Sequence, residues 1–209
     1  MKIGRRVLLG GAGLLALGVG GLAGRRMWLS RELELPDAIN ADGRALWSNW
    51  AGNAYAYPAA RAAPANEAEL AALLPGAKTP IRPVGSGHSF TELVPTEGTL
   101  LSLDRLSGLV SHDATAMTAT VRAGTKLSAL GPLLAGIGQE MPNLPDINKQ
   151  TLAGALATGT HGTGKGVKAI HGEVTAMRLV LPNGEVAECS RELRPELFHT
   201  ARVSLGAFG

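Results

Sequence analysis

The sequence predicts a mixed α+β fold, and three observations carry that expectation. A helical period with its own capping residue stands at 66 to 74, and apolar runs of strand length follow it. An Asn-Gly step at 183 and 184 separates two further runs in the way a tight hairpin does. Two glycine-rich loops, V-G-S-G-H-S at 84 to 89 and G-T-H-G-T-G-K-G at 159 to 166, punctuate these elements.

Taken in order, residues 30 to 64 read as irregular, with Pro36, Pro58 and Pro64 and the polar-aromatic patch L-W-S-N-W-A-G-N at 46 to 53. Trp47 and Trp50 stand three apart, and core packing is the default expectation for them. N-E-A-E-L-A-A-L-L at 66 to 74 predicts a helix capped by Asn66, with early acids and a Pro75-Gly76 stop. Ile81 to Val84 reads as a short buried strand that runs into the first glycine loop. Thr99 to Leu103 and Met117 to Arg122 predict further strands, with Asp113 in the turn before the second of them. Thr125 is expected to cap a helix through Leu134, interrupted at Gly131-Pro132 and ending near Gly136 or Gly138. Pro142 and Pro145 mark an extended segment, and Thr151 to Ala157 is a small-residue helix or turn. Val174 to Leu181 and Glu185 to Cys189 pair across Pro182-Asn183-Gly184, and Pro195 to Val203 predicts a last helix with Pro in its first turn.

Charge separates the N-terminus from the rest. The first 26 residues hold Lys2, Arg5, Arg6, Arg25 and Arg26 and no acid, whereas the remainder carries 15 basic and 17 acidic side chains. A slightly acidic body with 4% aromatics offers neither a basic stripe nor a stacking platform, which argues against nucleic acid as a partner. The uncharged run from Val7 to Gly24 would make about 27 Å of helix, close to the apolar thickness of a bilayer. An arginine pair ahead of it resembles a twin-arginine export signal, with Gly4 where Ser or Thr usually stands. Residues 1–28 are therefore expected to be an export signal or membrane anchor, placing the protein outside the cytoplasm or on the membrane. Residues 29–46 are a linker, and 47–209 the folded domain. G-A-G-L-L-A at 11 to 16 matches a dinucleotide fingerprint only in letters, since its strand would be three residues long and no βαβ unit follows. Cys189 is the lone cysteine and reads as a small buried hydrophobe.

A loop such as V-G-S-G-H-S can present successive backbone N–H groups inward as an anion nest, and a phosphate or pyrophosphate is its natural guest. An ordinary surface turn has the same letters. The second loop matches a nucleotide-triphosphate pattern up to Lys165, but Gly166 stands where that chemistry needs a hydroxyl on magnesium, and no strand is expected before it. His88 and His161 have no third metal ligand at a familiar spacing, so no metal site is predicted.

Six motifs taken together point further. W-S-N-W-A-G-N (47 to 53), R-P-V-G-S-G-H-S-F (82 to 90), L-D-R-L-S-G-L (103 to 109), V-R-A-G-T-K-L (121 to 127), L-P-D-I-N-K-Q-T-L-A-G-A-L-A-T-G-T-H-G-T-G (144 to 164) and E-L-F-H-T-A-R-V-S-L-G-A-F-G (196 to 209) closely resemble the aldonolactone and alditol oxidases. These are FAD enzymes of the vanillyl-alcohol-oxidase superfamily. The resemblance implies a PCMH-type FAD-binding domain of two α+β subdomains, with a C-terminal cap domain lying beyond the point where this chain stops.

The resemblance assigns the FAD pyrophosphate to Pro83, Val84, Gly85, Ser86, Gly87, His88 and Ser89. His88 matches the histidine that bonds covalently to the flavin 8α-methyl carbon, a role that suits a side chain often neutral near pH 7. Thr151, Gly154, Thr158, Gly159, Thr160, His161 and Gly162 match the segment that lines the flavin ring and ribityl chain. Pro145 and Asp146 match positions near the substrate pocket, Pro145 one that governs oxygen access. The implied reaction is oxidation of a CH–OH carbon in a sugar lactone or polyol, with dioxygen or another acceptor taking the electrons. The catalytic residues are expected in the cap, so this chain by itself is expected to be inactive. A membrane-anchored FAD-binding module without activity and a P-loop triphosphatase are the alternatives.

Overall fold

The computed structural model describes residues 35–209. The predicted signal or anchor at 1–28 and the match at 11 to 16 therefore lie outside the described residues. Of the expected linker, residues 36–46 fold back on the domain: Ile39 bridges Ala45, and the Tyr57 hydroxyl donates to the Asp37 carbonyl at 2.5 Å.

Two short strands, β1 (Trp47–Ser48) and β2 (Tyr55–Ala56), pair antiparallel around the turn at 49 to 54. β3 (Ala60–Ala62) then leads into helix α1 (Glu67–Leu73), and β4 (Ile81–Val84) and β5 (Thr99–Ser102) follow. They form a parallel sheet in the order β3-β5-β4, with Ala60 and Ile81 both opposite Thr99. The Asn66 side chain accepts from the Glu69 amide at 2.8 Å, while the Glu69 carboxylate reaches back to the Ala65 amide at 2.7 Å. Such a reciprocal cap stabilises a helix start by about 0.5–2 kcal/mol. Leu70 and Leu74 from the α1 region bury against Leu101 and Leu106, with Ile81 and Val180 alongside.

β6 (Leu109–Asp113) and β7 (Thr118–Val121) make an antiparallel hairpin. β6 was not expected, because L-V-S-H-D lacks a clean alternation and its register shifts between Leu109 and Ser111. Asp113 closes the turn, its carboxylate accepting from the amides of Thr115 and Ala116 at 2.8 and 2.9 Å. These amides hold its pKa below the usual aspartate value.

Helix α2 (Leu127–Ala135) corrects two expectations. Thr125 is not its cap: fully buried, it donates to the Arg122 carbonyl at 2.7 Å and accepts from the Gly108 amide at 2.9 Å. Lys126 takes the cap position without a side-chain bond, and the segment at 148 to 150 closes the helix start instead, through Leu127 N–H to Gln150 O and Ser128 N–H to Asn148 O. Nor does Pro132 interrupt the helix. A mid-helix proline costs about 3 kcal/mol, whereas Leu127, Leu130 and Leu134 are all buried and each contributes about 1.5–3 kcal/mol. Tertiary packing wins.

The small-residue helix expected at 151 to 157 forms as α3 (Leu152–Ala157), and Thr151 caps it, accepting from the Gly154 amide at 3.2 Å. Ala155 joins the α2 leucines and Ile170 in a second core cluster. The hairpin β8 (Ala176–Val180) and β9 (Val186–Ser190) turns at Asn183-Gly184, and α4 (Pro195–Ala201) packs Phe198 at zero exposure. One cluster lies under the parallel sheet and the other under α2 and α3. Among the described residues no helix is long and apolar enough to cross a membrane.

Candidate functional site

The first glycine loop leaves the carboxyl end of β4, the end of a parallel strand at which ligands of open α/β sheets bind. Its main chain is held from one side only. The Gly87 carbonyl accepts from the Trp50 amide at 2.8 Å, the Ser89 carbonyl from Asn49 Nδ2 at 2.8 Å and the Phe90 carbonyl from Asn53 Nδ2 at 2.8 Å. The amides of Ser86, Gly87, His88 and Ser89 donate to no acceptor among the described residues. A loop with carbonyls fastened and amides free has the unpaired donors that an anion nest needs. Gly87 enables it by taking φ +67, and its α-carbon lies close to Asn49 and to the Trp47 ring.

The second loop is brought against the first. The Ser86 hydroxyl donates to the Lys149 carbonyl, and a β-carbon on Gly85 would collide with the Thr151 hydroxyl. Beyond α3, Thr158 and Thr160 place their hydroxyls 3.1 Å apart, and Gln150 Nε2 donates to the Thr160 hydroxyl at 2.9 Å. His161 is exposed and its Nδ1 donates to the Gly162 carbonyl at 2.8 Å. Asn143 and Leu144 lie against the backbone of Gly162, which ties the half-buried Pro145 and exposed Asp146 segment to this loop. The structure thus brings together 83 to 89, 143 to 146 and 151 to 162.

Sequence reasoning missed two further parts. Asn49 and Asn53 clamp the first loop, and two asparagines within a Trp-rich patch were the available signal. The segment after α4 also joins the site: the Leu205 amide donates to the Ala157 carbonyl at 3.3 Å, and Gly206 lies against the Pro83 ring. Leu205 holds φ +56, a left-handed backbone that costs a leucine energy and that concentrates at functional sites. Trp50 corrects the expectation of core packing, since it is 68% exposed and stacks on His88 with ring centroids 5.1 Å apart.

Helix α3, not a strand, precedes the second loop, so the strand–loop–helix frame of a triphosphate site is absent from it. Cys189 is buried within β9, and burial pushes its thiol pKa up, away from nucleophile chemistry. A shallow groove between β3 and α1, lined by Arg61, Ala62, Pro64, Glu69 and Leu73, contains none of these residues.

The residues present fit FAD. Free amides at a nest match the charge of a pyrophosphate, and a cradle of small residues with the Thr158 and Thr160 hydroxyls matches a flat cofactor edge rich in acceptors and donors.

Comparison with known proteins agrees. The sequence profile described as "FAD binding domain" matches residues 58–190. The chain is 39% identical over 167 residues to an L-gulono-1,4-lactone dehydrogenase of Mycobacterium tuberculosis, covering 78% of this chain and 38% of that protein. It is 35% identical over 167 residues to a D-arabinono-1,4-lactone oxidase of Yarrowia lipolytica, covering 77% of this chain and 32% of that protein. The chain thus spans about a third of the length of the curated relatives it matches. Among solved structures a chitooligosaccharide oxidase shares the fold, with a TM-score of 0.63 and 23% identity over 72% of this chain and 33% of that one. A cholesterol oxidase from Brevibacterium sterolicum does so with a TM-score of 0.60 and 22% identity, covering 83% of this chain and 38% of that one.

Proposed function

The chain belongs to the FAD binding domain family, and from that membership we propose that it is the cofactor-holding part of an oxidoreductase that oxidises the CH–OH group of a sugar lactone or alditol. The observation that carries the reading is the loop at 86 to 89, whose amides are left free while Asn49, Trp50 and Asn53 hold its carbonyls. The names of the two curated relatives, a gulonolactone dehydrogenase and an arabinonolactone oxidase, support a lactone as the substrate class.

When bound, FAD would accept a hydride equivalent from the carbinol carbon of the substrate and pass the electrons to dioxygen or another acceptor. This chain's residues do the holding. The 86 to 89 amides neutralise the pyrophosphate, and Thr158, Thr160 and the amides around Gly162 line the cradle. Pro145 and Asp146, carried beside that cradle by Asn143, would face the substrate side. His88 is the residue to which FAD would be covalently attached. The arginine pair and apolar run of residues 1–28 support export or membrane anchoring.

Two measurements test this. Protein made from its complete reading frame should lose its visible flavin absorbance when gulono-, galactono- or arabinono-lactone or a simple polyol is added anaerobically. Persistence of the oxidised spectrum with all of them overturns the substrate class. Flavin fluorescence should survive denaturing electrophoresis, and His88→Ala should abolish that band while FAD still binds. A wild-type protein that yields only free FAD overturns the attachment.

A further inference from the structure

We propose that Trp50 is a positioning residue for His88, holding the imidazole by its face so that both ring nitrogens stay available at its edge. The proposal rests on the reading of His88 as the attachment point. The rings stack with an interplanar angle of 19° and centroids 5.1 Å apart. Phe90 meets Trp50 edge-on, at 6.2 Å and 88°, and so backs the stack. Both Trp50 and Phe90 are about two-thirds exposed, at 68% and 66%. Large aromatic rings normally bury for their hydrophobic area; here Trp50 lies on His88 and Phe90 on Trp50 instead.

The backbone shows why the stack holds its register. Trp50 N–H donates to the Gly87 carbonyl, Asn49 fastens residue 89 and Asn53 fastens residue 90, so the 49 to 53 and 87 to 90 segments are locked side by side. The two rings then face each other across a fixed gap. His88 makes no side-chain hydrogen bond among the described residues. Histidines that must present one nitrogen are usually oriented by a hydrogen bond to the other. Here a face contact does the orienting, and it leaves neither nitrogen occupied.

The tether needs a free nitrogen. In forming it, His88 exchanges its ring N–H for a bond to the 8α-methyl carbon, which gives up one C–H. The two hydrogens lost appear as two electrons and two protons on the same flavin, and dioxygen takes them up as hydrogen peroxide. An unrestrained imidazole samples several χ1 and χ2 wells, and each non-productive one slows that step.

Two readouts test Trp50. In the FAD-free protein, the His88 ring carbon-bound protons, assigned with His88→Gln, should be displaced upfield by the indole ring current. Trp50→Leu should remove the displacement and Trp50→Phe should keep part of it. In reconstitution at saturating FAD, Trp50→Leu, which keeps the backbone N–H on the Gly87 carbonyl, should tether the bound flavin about two- to tenfold more slowly, with Trp50→Phe recovering most of the rate. Unshifted His88 protons in the wild type, or a wild-type tethering rate in Trp50→Leu, overturn the role of Trp50. A wild type that binds FAD and never tethers it overturns the His88 attachment itself, and that outcome is separate because it appears without any variant.

Discussion

Asn49 is 4% exposed, and its side chain is fully engaged: Nδ2 donates to the Ser89 carbonyl and to Asn53 Oδ1 at 2.7 Å, and Oδ1 accepts from the buried Ala54 amide at 3.1 Å. Asn49→Ala leaves the Ala54 amide without its acceptor and releases the glycine loop. The expected cost is about 1–3 kcal/mol of stability in urea titrations, together with a fall in FAD affinity that calorimetry should detect. Asn49→Asp keeps the acceptor toward Ala54 and loses the donor toward Ser89, so it should weaken FAD binding with a smaller stability loss. At this scale the sequence was legible where the chemistry sits in a distinctive side chain or in glycine, as at Gly85, Gly87 and His88. It was silent on Asn49, because the groups that Asn49 holds are main-chain carbonyls, which carry no letter. Trp50 misled for a related reason: aromatic area defaults to a core, and only the neighbouring His88 ring explains its exposure.

Elements were legible where local and tertiary preferences agree. The Asn66 cap and the Asn183-Gly184 turn both formed where their residue chemistry put them. They failed where packing overrules propensity. Thr125 has the letter of a helix cap, yet its hydroxyl bridges the Gly108 amide and Arg122 carbonyl and fastens the end of β7 to the start of β6. Thr125→Val, nearly the same shape, should therefore cost about 0.5–1.5 kcal/mol by leaving the Gly108 amide without its acceptor, while the Arg122 carbonyl still accepts from the Thr125 amide, with Thr125→Ser restoring most of it. A loss of only a few tenths in chemical denaturation would return Thr125 to the role of a weak cap. Pro132 survives inside α2 for the same reason, since buried leucines flank it and the 148 to 150 segment fastens the helix start at Leu127 and Ser128.

At the scale of the molecule, the site forms where segments remote in sequence meet: 83 to 89, 143 to 162 and 203 to 206. Motif order made the two loops visible, but their contact is a tertiary fact, set by the Gly85 approach to Thr151 and the Leu205 bond to Ala157. Gly85→Ala should push those loops apart and abolish tight FAD binding while costing about 1–3 kcal/mol of stability as overpacking. Thr151→Ala removes the atom in the way at the expense of a helix cap. In a double-mutant cycle the Gly85→Ala penalty should then shrink, and additive penalties would show that the two residues do not touch. The fastening of the first loop by its carbonyls has an engineering consequence. A transplant of residues 82 to 90 into another scaffold would carry the free amides of 86 to 89 and none of the clamp that aims them. The smallest portable unit is two strips of chain, 47 to 53 and 82 to 90, moved together.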